Sequence, residues 1–314
     1  MLARKALKVN SPTRKTVGII GGGPAGLSMA RMLRDAGQVD ATVFEALPQV
    51  GGKSFTFYHG DNVVEMGTCY ATFAHRITNK WMRELKMPMS PLREQRFDGD
   101  DFMAYVKSGS GPALTVQVGI YWREKARLER ELAKAKPAAW AIEDAATSIQ
   151  DWLAKRNLGK IETFMHRSTT NIAYGFVDET PTVQALRWND MNLIFSGLLK
   201  NLKMPIEGWG YFWEKIAEGL DVRTNTSVAA IARDADGHTV TTADGQVFHF
   251  DATFCAIPVD DFAKLTTPTE SETVVSDALI WNGYTTTLFA ARDWFDDVHV
   301  EAYRESVLPG AARG

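Results

Sequence analysis

Gly21, Gly23 and Gly26, in the run VGIIGGGPAGLSMARML from Val17 to Leu33, are the residues of this chain most able to do chemistry through their backbone. A Gly-x-Gly-x-x-Gly turn between a strand and a helix has a specific use. Its first glycine permits the tight turn, its second lets a pyrophosphate approach the main chain, and its third lets helix and strand pack closely. Gly22, Pro24 and Ala25 complete the turn, and the helix that follows offers amide donors and a favourable dipole to an anion. The next acid, Glu45, ends the segment ATVFEA and is placed to accept hydrogen bonds from an adenosine ribose. The chemistry implied is dinucleotide binding. The elements that must position it are a short buried parallel strand, KTVGII, a helix LSMARMLRDAG closed by Gly37, and a second strand carrying Glu45.

The remainder of the chain sets the bounds. Its 314 residues suffice for one large or two ordinary domains, and 45% hydrophobic with 23% charged residues is a globular composition. A net charge of −3 gives no global reason to expect nucleic acid or an acidic membrane as partner. Cys69 and Cys255 lie far apart and read as reduced thiols of a cytoplasmic protein. No His, Cys or carboxylate spacing suggests a metal site. No apolar run approaches the roughly 18 residues of a membrane span. Residues 1–15 are basic without an apolar h-region and read as a loose tail.

The residues after the second strand, EALPQVGGKSFTF, add Gly51 and Gly52 and then Lys53. This resembles the two-glycine extension of FAD-binding flavoproteins in the superfamily of flavin-containing amine oxidases and phytoene desaturases. Their usual form has Arg after the glycine pair. Lys53 keeps the charge beside the pyrophosphate but lacks the bidentate fork. VVEMGTCYAT resembles the segment that brings backbone to the isoalloxazine, around Met66, Gly67 and Thr68. The stretch MPIEGWGYFWEKIAEGL through FHFDATFCAIP resembles the second cofactor segment: a helix, a strand through Val228, a hairpin turned at ADGQ, and a strand ending at Pro258. The resemblance implies FAD as cofactor and places Val228 where backbone groups meet adenine. The fold it implies is α/β: a Rossmann-like FAD-binding domain with a parallel sheet, over 16–104 and 205–260. An inserted, mostly helical (α+β) substrate domain would occupy 105–204 and 261–314.

In the insert, YWREKARLERELAKAKP reads as a helix with a solvated charged face, ended by Pro137. SIQDWLAKRNL reads as a helix capped by Ser148, and TVQALRWNDMNLIFSGLLKNL as another amphipathic helix. IWNGYTTTLFAARDWF reads as a strand. VGGKSFTFYHGDNVVEMGTCY and AYGFVDETPTVQALRW are together similar to the polyenoic fatty acid isomerase branch of the superfamily. That likeness implies an apolar small-molecule substrate, an unsaturated fatty acid whose double bonds are shifted by hydride transfer to and from flavin N5. It needs no dedicated general base, and no catalytic residue is assigned. Phe164, Tyr174, Phe176, Leu186 and Trp188 would line an acyl tunnel or simply fill the core. The branch implies an Arg for the substrate carboxylate within SPLREQRFDG, where Arg93 and Arg96 share the candidacy. His59 lies near a cofactor motif and reads equally as a turn residue.

Two departures keep other readings open. Many amine oxidases carry a lysine near flavin N5 on a late substrate-domain strand, and Ala278 to Phe295 contains none. The chain also reaches RESVLPGAARG without a counterpart of the family's late Gly-acid segment, so the expectation is an incomplete substrate domain and a catalytically incomplete chain. A flavin amine oxidase or desaturase, and an inactive FAD-binding module, therefore stand beside the isomerase. The oligomeric state is not encoded in any motif.

Overall fold

In the computed structural model, which describes residues 14–37, 39–92, 94–172, 174–279, 283, 285–292 and 298–303, the run before the glycine turn is a strand, β1 (Lys15–Ile20). Pro24 starts α1 (Pro24–Ala36), where its missing N–H costs nothing, and Gly37 ends it at φ +70°. β2 (Val39–Phe44) follows, then the antiparallel hairpin of β3 (Thr56–His59) and β4 (Asn62–Glu65).

The described residues form two compact units, those within Met1–Cys69 and Pro205–Trp281, and those within Tyr70–Met204 and Asn282–Gly314. The second unit begins with α2 (Arg76–Glu84), β5 (Met89–Pro91), β6 (Glu94–Phe97), β7 (Asp100–Asp101) and α3 (Phe102–Ser108). The helices α4 (Leu114–Leu132), α5 (Ala139–Ala146), α6 (Ile149–Ala154) and α7 (Gly159–Met165) follow. α7 runs into a π-helical turn at His166–Thr170, before α8 (Thr182–Trp188), α9 (Met191–Leu198) and β8 (Lys203–Pro205). The chain returns to the first unit with α10 (Gly208–Ala217), β9 (Asp221–Arg223), β10 (Val228–Asp234), β11 (Gly237–Thr242), β12 (Val247–Phe250), β13 (Ala252–Cys255), α11 (Val259–Leu265) and α12 (Glu270–Ala278). β14 (Val298–Ala302) pairs in parallel with β6 in the second unit.

The first unit is built on a parallel sheet in the order β13-β1-β2-β9, with Ile20 opposite both Phe44 and Cys255. Covered strands read as continuous apolar runs, and Ile19, Ile20, Val43 and Phe44 are buried accordingly. A second sheet, β10-β11-β12, is antiparallel, and its Ile231, Val240 and Phe250 share a core with Ile20, Phe44 and Phe262. This is the α/β architecture expected, a Rossmann-like parallel sheet. In the second unit the core is helical, around Tyr121, Trp152, Leu153, Leu158, Ile161 and Phe164.

Several local features differ from the sequence reading. TVQALRWNDMNLIFSGLLKNL is two helices, because Asp190 caps α9 by accepting from the Leu193 amide at 2.8 Å. Asn189, fully buried between them, spends its side chain on Thr169 Oγ1 and the Ala185 carbonyl. Within Ile280–Phe295 the described residues form no strand; they include the exposed Leu288 and Phe289, and the paired strand is β14 instead. The first break between units falls at 69/70 rather than 104/105, since Phe97 and Phe102 belong to the same core as Tyr105 and Val106. The last lies at 281/282 rather than 260/261: Phe262 packs with Val240, and Arg233 of β10 grips Glu272 of α12 at 2.7 Å. No helix among the described residues is long and apolar enough to cross a membrane.

Candidate functional site

The glycine turn is held from three sides by backbone. The Gly21 amide donates to the Phe44 carbonyl at 2.8 Å, which ties the turn to β2. Gly21 has φ +105°, a conformation that favours glycine. A Cβ on Gly26 would lie 2.0 Å from the Gly21 carbonyl oxygen, so any side chain there would push α1 away from β1. The Gly51 amide donates to the Gly22 carbonyl at 2.9 Å, and Gly51 and Gly52 have φ of +107° and +52°. The two glycine segments thus pack against each other, with Gly23 facing Gly52.

A pyrophosphate fits this surface. A Cβ on Gly23 would meet only the Gly52 Cα, at 3.7 Å, so the approach to the second glycine is open. Gly23 is the N-cap of α1 and supplies no side-chain cap, while Pro24 has no N–H; Ala25, next in the first turn, is exposed. First-turn amides without a side-chain cap form an anion site. Lys53 is exposed directly after the glycine pair.

Glu45 is 8% exposed and already does structural work. Its Oε2 accepts from the Gly22 amide at 2.7 Å and its Oε1 from the Leu47 amide at 2.8 Å. A carboxylate has about four acceptor positions, so two backbone donors leave capacity for ribose hydroxyls. The Glu45 carbonyl also accepts from the Thr226 amide at 2.8 Å, bringing the segment before Val228 alongside. Val228 itself opens β10 opposite Thr242.

Met66, Gly67 and Thr68 are laced to the residues after the glycine pair. The Met66 amide donates to the Phe55 carbonyl at 2.9 Å, and the Thr68 and Ser54 hydroxyls meet at 2.6 Å. A Cβ on Gly67 would lie 1.9 Å from the Lys53 carbonyl oxygen, a close approach that needs glycine. Sequence reasoning missed the support beneath this segment. Glu65 Oε1 accepts from the Trp209 amide at 2.7 Å, and Thr56 Oγ1 accepts from the Gly210 amide at 2.8 Å, so β3 and β4 together cap α10. Burial pushes the Glu65 carboxyl up from its ordinary value, against the lowering effect of the Trp209 amide and Thr56. Glu207-Gly208-Trp209-Gly210 carries no local capping signal, because the cap comes from the hairpin. His59 ends β3, where its carbonyl accepts from Asn62 Nδ2.

The first unit thus assembles a dinucleotide cradle, and comparison with known proteins says which kind. The family model for flavin containing amine oxidoreductase matches residues 24–297. This chain belongs to that family. FAD is the cofactor that membership implies, and the cradle fits it. Polyamine oxidase 4 of Oryza sativa subsp. japonica is 24% identical over 254 residues, covering 77% of this chain and 50% of that protein. Polyamine oxidase 2 of Arabidopsis thaliana is 25% identical over 279 residues, covering 82% and 53%. The chain therefore spans about half the length of these relatives. Among solved structures, the CLA-producing fatty acid isomerase from P. acnes superposes with a TM-score of 0.70 at 20% identity, over 84% of this chain and 63% of that one. Wild-type putrescine oxidase bound to putrescine superposes at 0.65 and 19% identity, with the same coverage.

The second unit contains its own cleft. A cavity of about 290 Å³ is lined by Pro91, Leu92, Phe102, Met103 and Leu202, with Gln95 and the Asp101–Lys200 pair, whose charged atoms are 3.8 Å apart. A pocket of about 30 Å³ shares Gln95, Phe102, Gly197 and Leu202 with it and adds Phe164, Arg167 and Ser168. Of the aromatics singled out in the sequence, Phe164 lines this cleft. Tyr174 and Trp188 instead pair with each other, ring centroids 4.4 Å apart. Leu186 is in the core and borders a separate groove beside Lys125, and the Phe176 carbonyl accepts from Thr180. Arg93 lies outside the described residues. Arg96 sits on β6 next to Gln95, and alternation along a strand sends neighbouring side chains to opposite faces. It is Gln95 that lines the cleft.

Proposed function

We propose that this chain carries the cofactor-binding and substrate-binding parts of an FAD-dependent enzyme that shifts double bonds in a polyunsaturated fatty acid. The observation that carries the reading is the cleft of the second unit. Among the described residues its walls include Pro91, Leu92, Phe102, Met103, Phe164 and Leu202, with Arg167 in the smaller pocket and Asp101 paired with Lys200. An alkyl chain gains roughly 0.8 kcal/mol per buried methylene in such walls. A polyamine would bring charged ammonium groups against these apolar walls, at a desolvation cost.

FAD would supply hydride acceptance and return, which leaves the substrate at its original oxidation level. The protein's own residues do the holding. Gly21, Gly22, Gly23, Ala25 and Gly26 offer backbone to the pyrophosphate, with Pro24 starting the helix that faces it and Lys53 adding charge. Glu45 accepts from the adenosine ribose, Val228 offers main chain to adenine, and Met66, Gly67 and Thr68 present backbone to the flavin ring. On the substrate side, Arg93 and Arg96 remain proposed carboxylate contacts, and Tyr174, Phe176 and Trp188 proposed tunnel walls. Cys69 and Cys255, far apart in the chain, support a reducing cytoplasmic setting.

An amine oxidase is the second reading, supported by the polyamine oxidase relatives and opposed by the lack of lysine from Ala278 to Phe295. A desaturase, or a flavin-binding module without turnover, completes the set. Product mass decides among them. With linoleate as substrate and flavin-loaded protein, the expected product is an isomer of unchanged mass. A product two hydrogens lighter, or peroxide formed from a polyamine, would overturn the isomerase. Bound flavin with no product from either substrate class would leave the module.

A further inference from the structure

We propose that a second cavity of the second unit, between the C-terminal end of α2 and the strand β8, binds a phosphate monoester of an apolar alcohol. The cavity shares no lining residue with the cleft described above, so its ligand would be distinct from the substrate of the reaction. Its volume is about 460 Å³, within the range of small-molecule sites. Arg83, Lys86 and Lys203 line it, all three exposed, and among the described residues no carboxylate does. Glu84, the acid next to Arg83, pairs with Lys80 at 3.6 Å. Among the described residues no ion pair takes up any of the three cations. Phe73, Met87 and Met89 supply an apolar wall beside them.

The three charges come from segments that the fold ties together. Ala71 and Lys203 exchange backbone hydrogen bonds, the Ala71 amide donating at 2.7 Å and the Lys203 amide at 3.3 Å. Asn79 Nδ2, on α2, donates to the Thr72 carbonyl at 2.9 Å, so the same segment holds α2 beside β8. α2 then ends in a Schellman turn. The Lys86 amide donates to the Arg83 carbonyl at 3.1 Å, and the Met87 amide to the Met82 carbonyl at 2.9 Å. These bonds occupy helix-end carbonyls that would otherwise face an anion. Lys86 takes φ +55°, the left-handed conformation that glycine adopts without strain and that this turn usually gives to glycine. Cations at a helix end also complement the dipole, but that cause does not extend to Lys203 on β8. What the three positions share is the cavity.

A phosphate monoester matches this set. At neutral pH it carries close to two negative charges and three acceptor oxygens. The Arg83 guanidinium can meet two of them as a fork, while the two ammoniums act as point charges. The organic group would lie against Phe73 and the methionines, whose flexible thioethers adapt to irregular shapes. A carboxylate brings only one charge to three cations, and inorganic phosphate leaves the apolar wall unused.

The test titrates hexyl phosphate into the full chain by calorimetry at neutral pH, beside hexyl sulfate and inorganic phosphate. The expected result is saturable binding of hexyl phosphate, roughly tenfold or more tighter than either control, the scale of one charged hydrogen-bonded contact. Lys86→Gly is the deciding variant. Glycine suits φ +55°, so the protein should melt no lower than the parent while hexyl phosphate binds roughly tenfold or more weakly. Lys203→Gln, on the other element, should weaken it by a similar factor. Unchanged affinity in either variant, equal affinity for hexyl sulfate, or no saturable binding by wild-type protein overturns the proposal. Inorganic phosphate binding as tightly as the ester assigns a free phosphate and overturns the ester. Sedimentation with phosphatidylcholine vesicles containing phosphatidic acid, lost in Lys86→Gly, traces the monoester to a lipid headgroup. Binding of hexyl phosphate without such sedimentation traces it to a soluble ester.

Discussion

Replacing Glu45 by Ala separates the scaffold role given by its two amide contacts from the ribose-binding role proposed for the same carboxylate. As a ribose acceptor it would matter only when FAD is bound. As the partner of two backbone amides it must matter in the free protein too. The Gly22 amide, bonded at 2.7 Å, is buried, and losing a hydrogen bond to a charged group there costs about 1.5–3 kcal/mol. The Leu47 amide, bonded at 2.8 Å, is only partly buried and water replaces some of the contact, so about 0.5–1 kcal/mol is a fair share. The sum is roughly 2–4 kcal/mol, which at about 2.1 cal/mol/K of unfolding entropy per residue lowers the melting temperature of a 314-residue chain by roughly 3–6 °C. Differential scanning fluorimetry of flavin-free protein reads this directly, and a flavin titration then reports the added loss in affinity. A flavin-free Glu45→Ala variant melting within a degree of the parent would refute the scaffold role. The carboxylate would then act on ligand alone.

Gly26→Ala should cost about 1–3 kcal/mol and reduce bound flavin per protein, because its Cβ would sit 2.0 Å from the Gly21 carbonyl and force α1 outward; unchanged flavin stoichiometry would count against the close-approach argument. Acid should weaken the second unit through His166, whose pKa burial pulls down from 6.5 to about 4. The folded state then binds fewer protons than the unfolded one, so stability falls as pH drops from about 6.5 towards 4, by about 3 kcal/mol in all. Urea unfolding across that range should show a shallower pH slope for His166→Gln than for the parent, and equal slopes would contradict it.

How much of this was legible follows from how far apart the cooperating residues are in the chain. The turn at Gly21–Gly26, the closing Gly37 and the acid at the end of β2 are local demands of one strand–turn–helix–strand unit, and each has a residue type that reports it. Ser148 announces α6 in the same way, accepting from the Asp151 amide. The cap of α10 was not legible, since Thr56 and Glu65 reach it from a hairpin far upstream. Nor was the break at Asn189. Helical periodicity runs through it, and the break takes both the Asp190 cap of α9 and the burial of Asn189 against the π turn. Arg167 stayed hidden because a π turn leaves no composition signal in HRSTT, while Arg93 and Arg96 drew attention through the resemblance. Ile280–Phe295 alternates well enough to suggest a strand, but β14 is formed by the next segment, which has β6 to pair with.

The same difference in range bears on how a function can be assigned to this family member. A cradle made of backbone amides and missing side chains can be satisfied by many sequences, so it bears on the cofactor rather than on the reaction. Superpositions at TM-scores of 0.70 and 0.65 reach proteins named for a fatty acid isomerase and a putrescine oxidase, whose substrates carry opposite charge. Overall likeness therefore cannot choose between them, as expected where one fold hosts many chemistries. The choice must come from side chains that meet the substrate. In this chain the cleft of the second unit gathers Gln95, Phe102, Phe164 and Arg167 by tertiary contacts rather than by a motif, so substitutions there are the ones that can distinguish the two substrate classes.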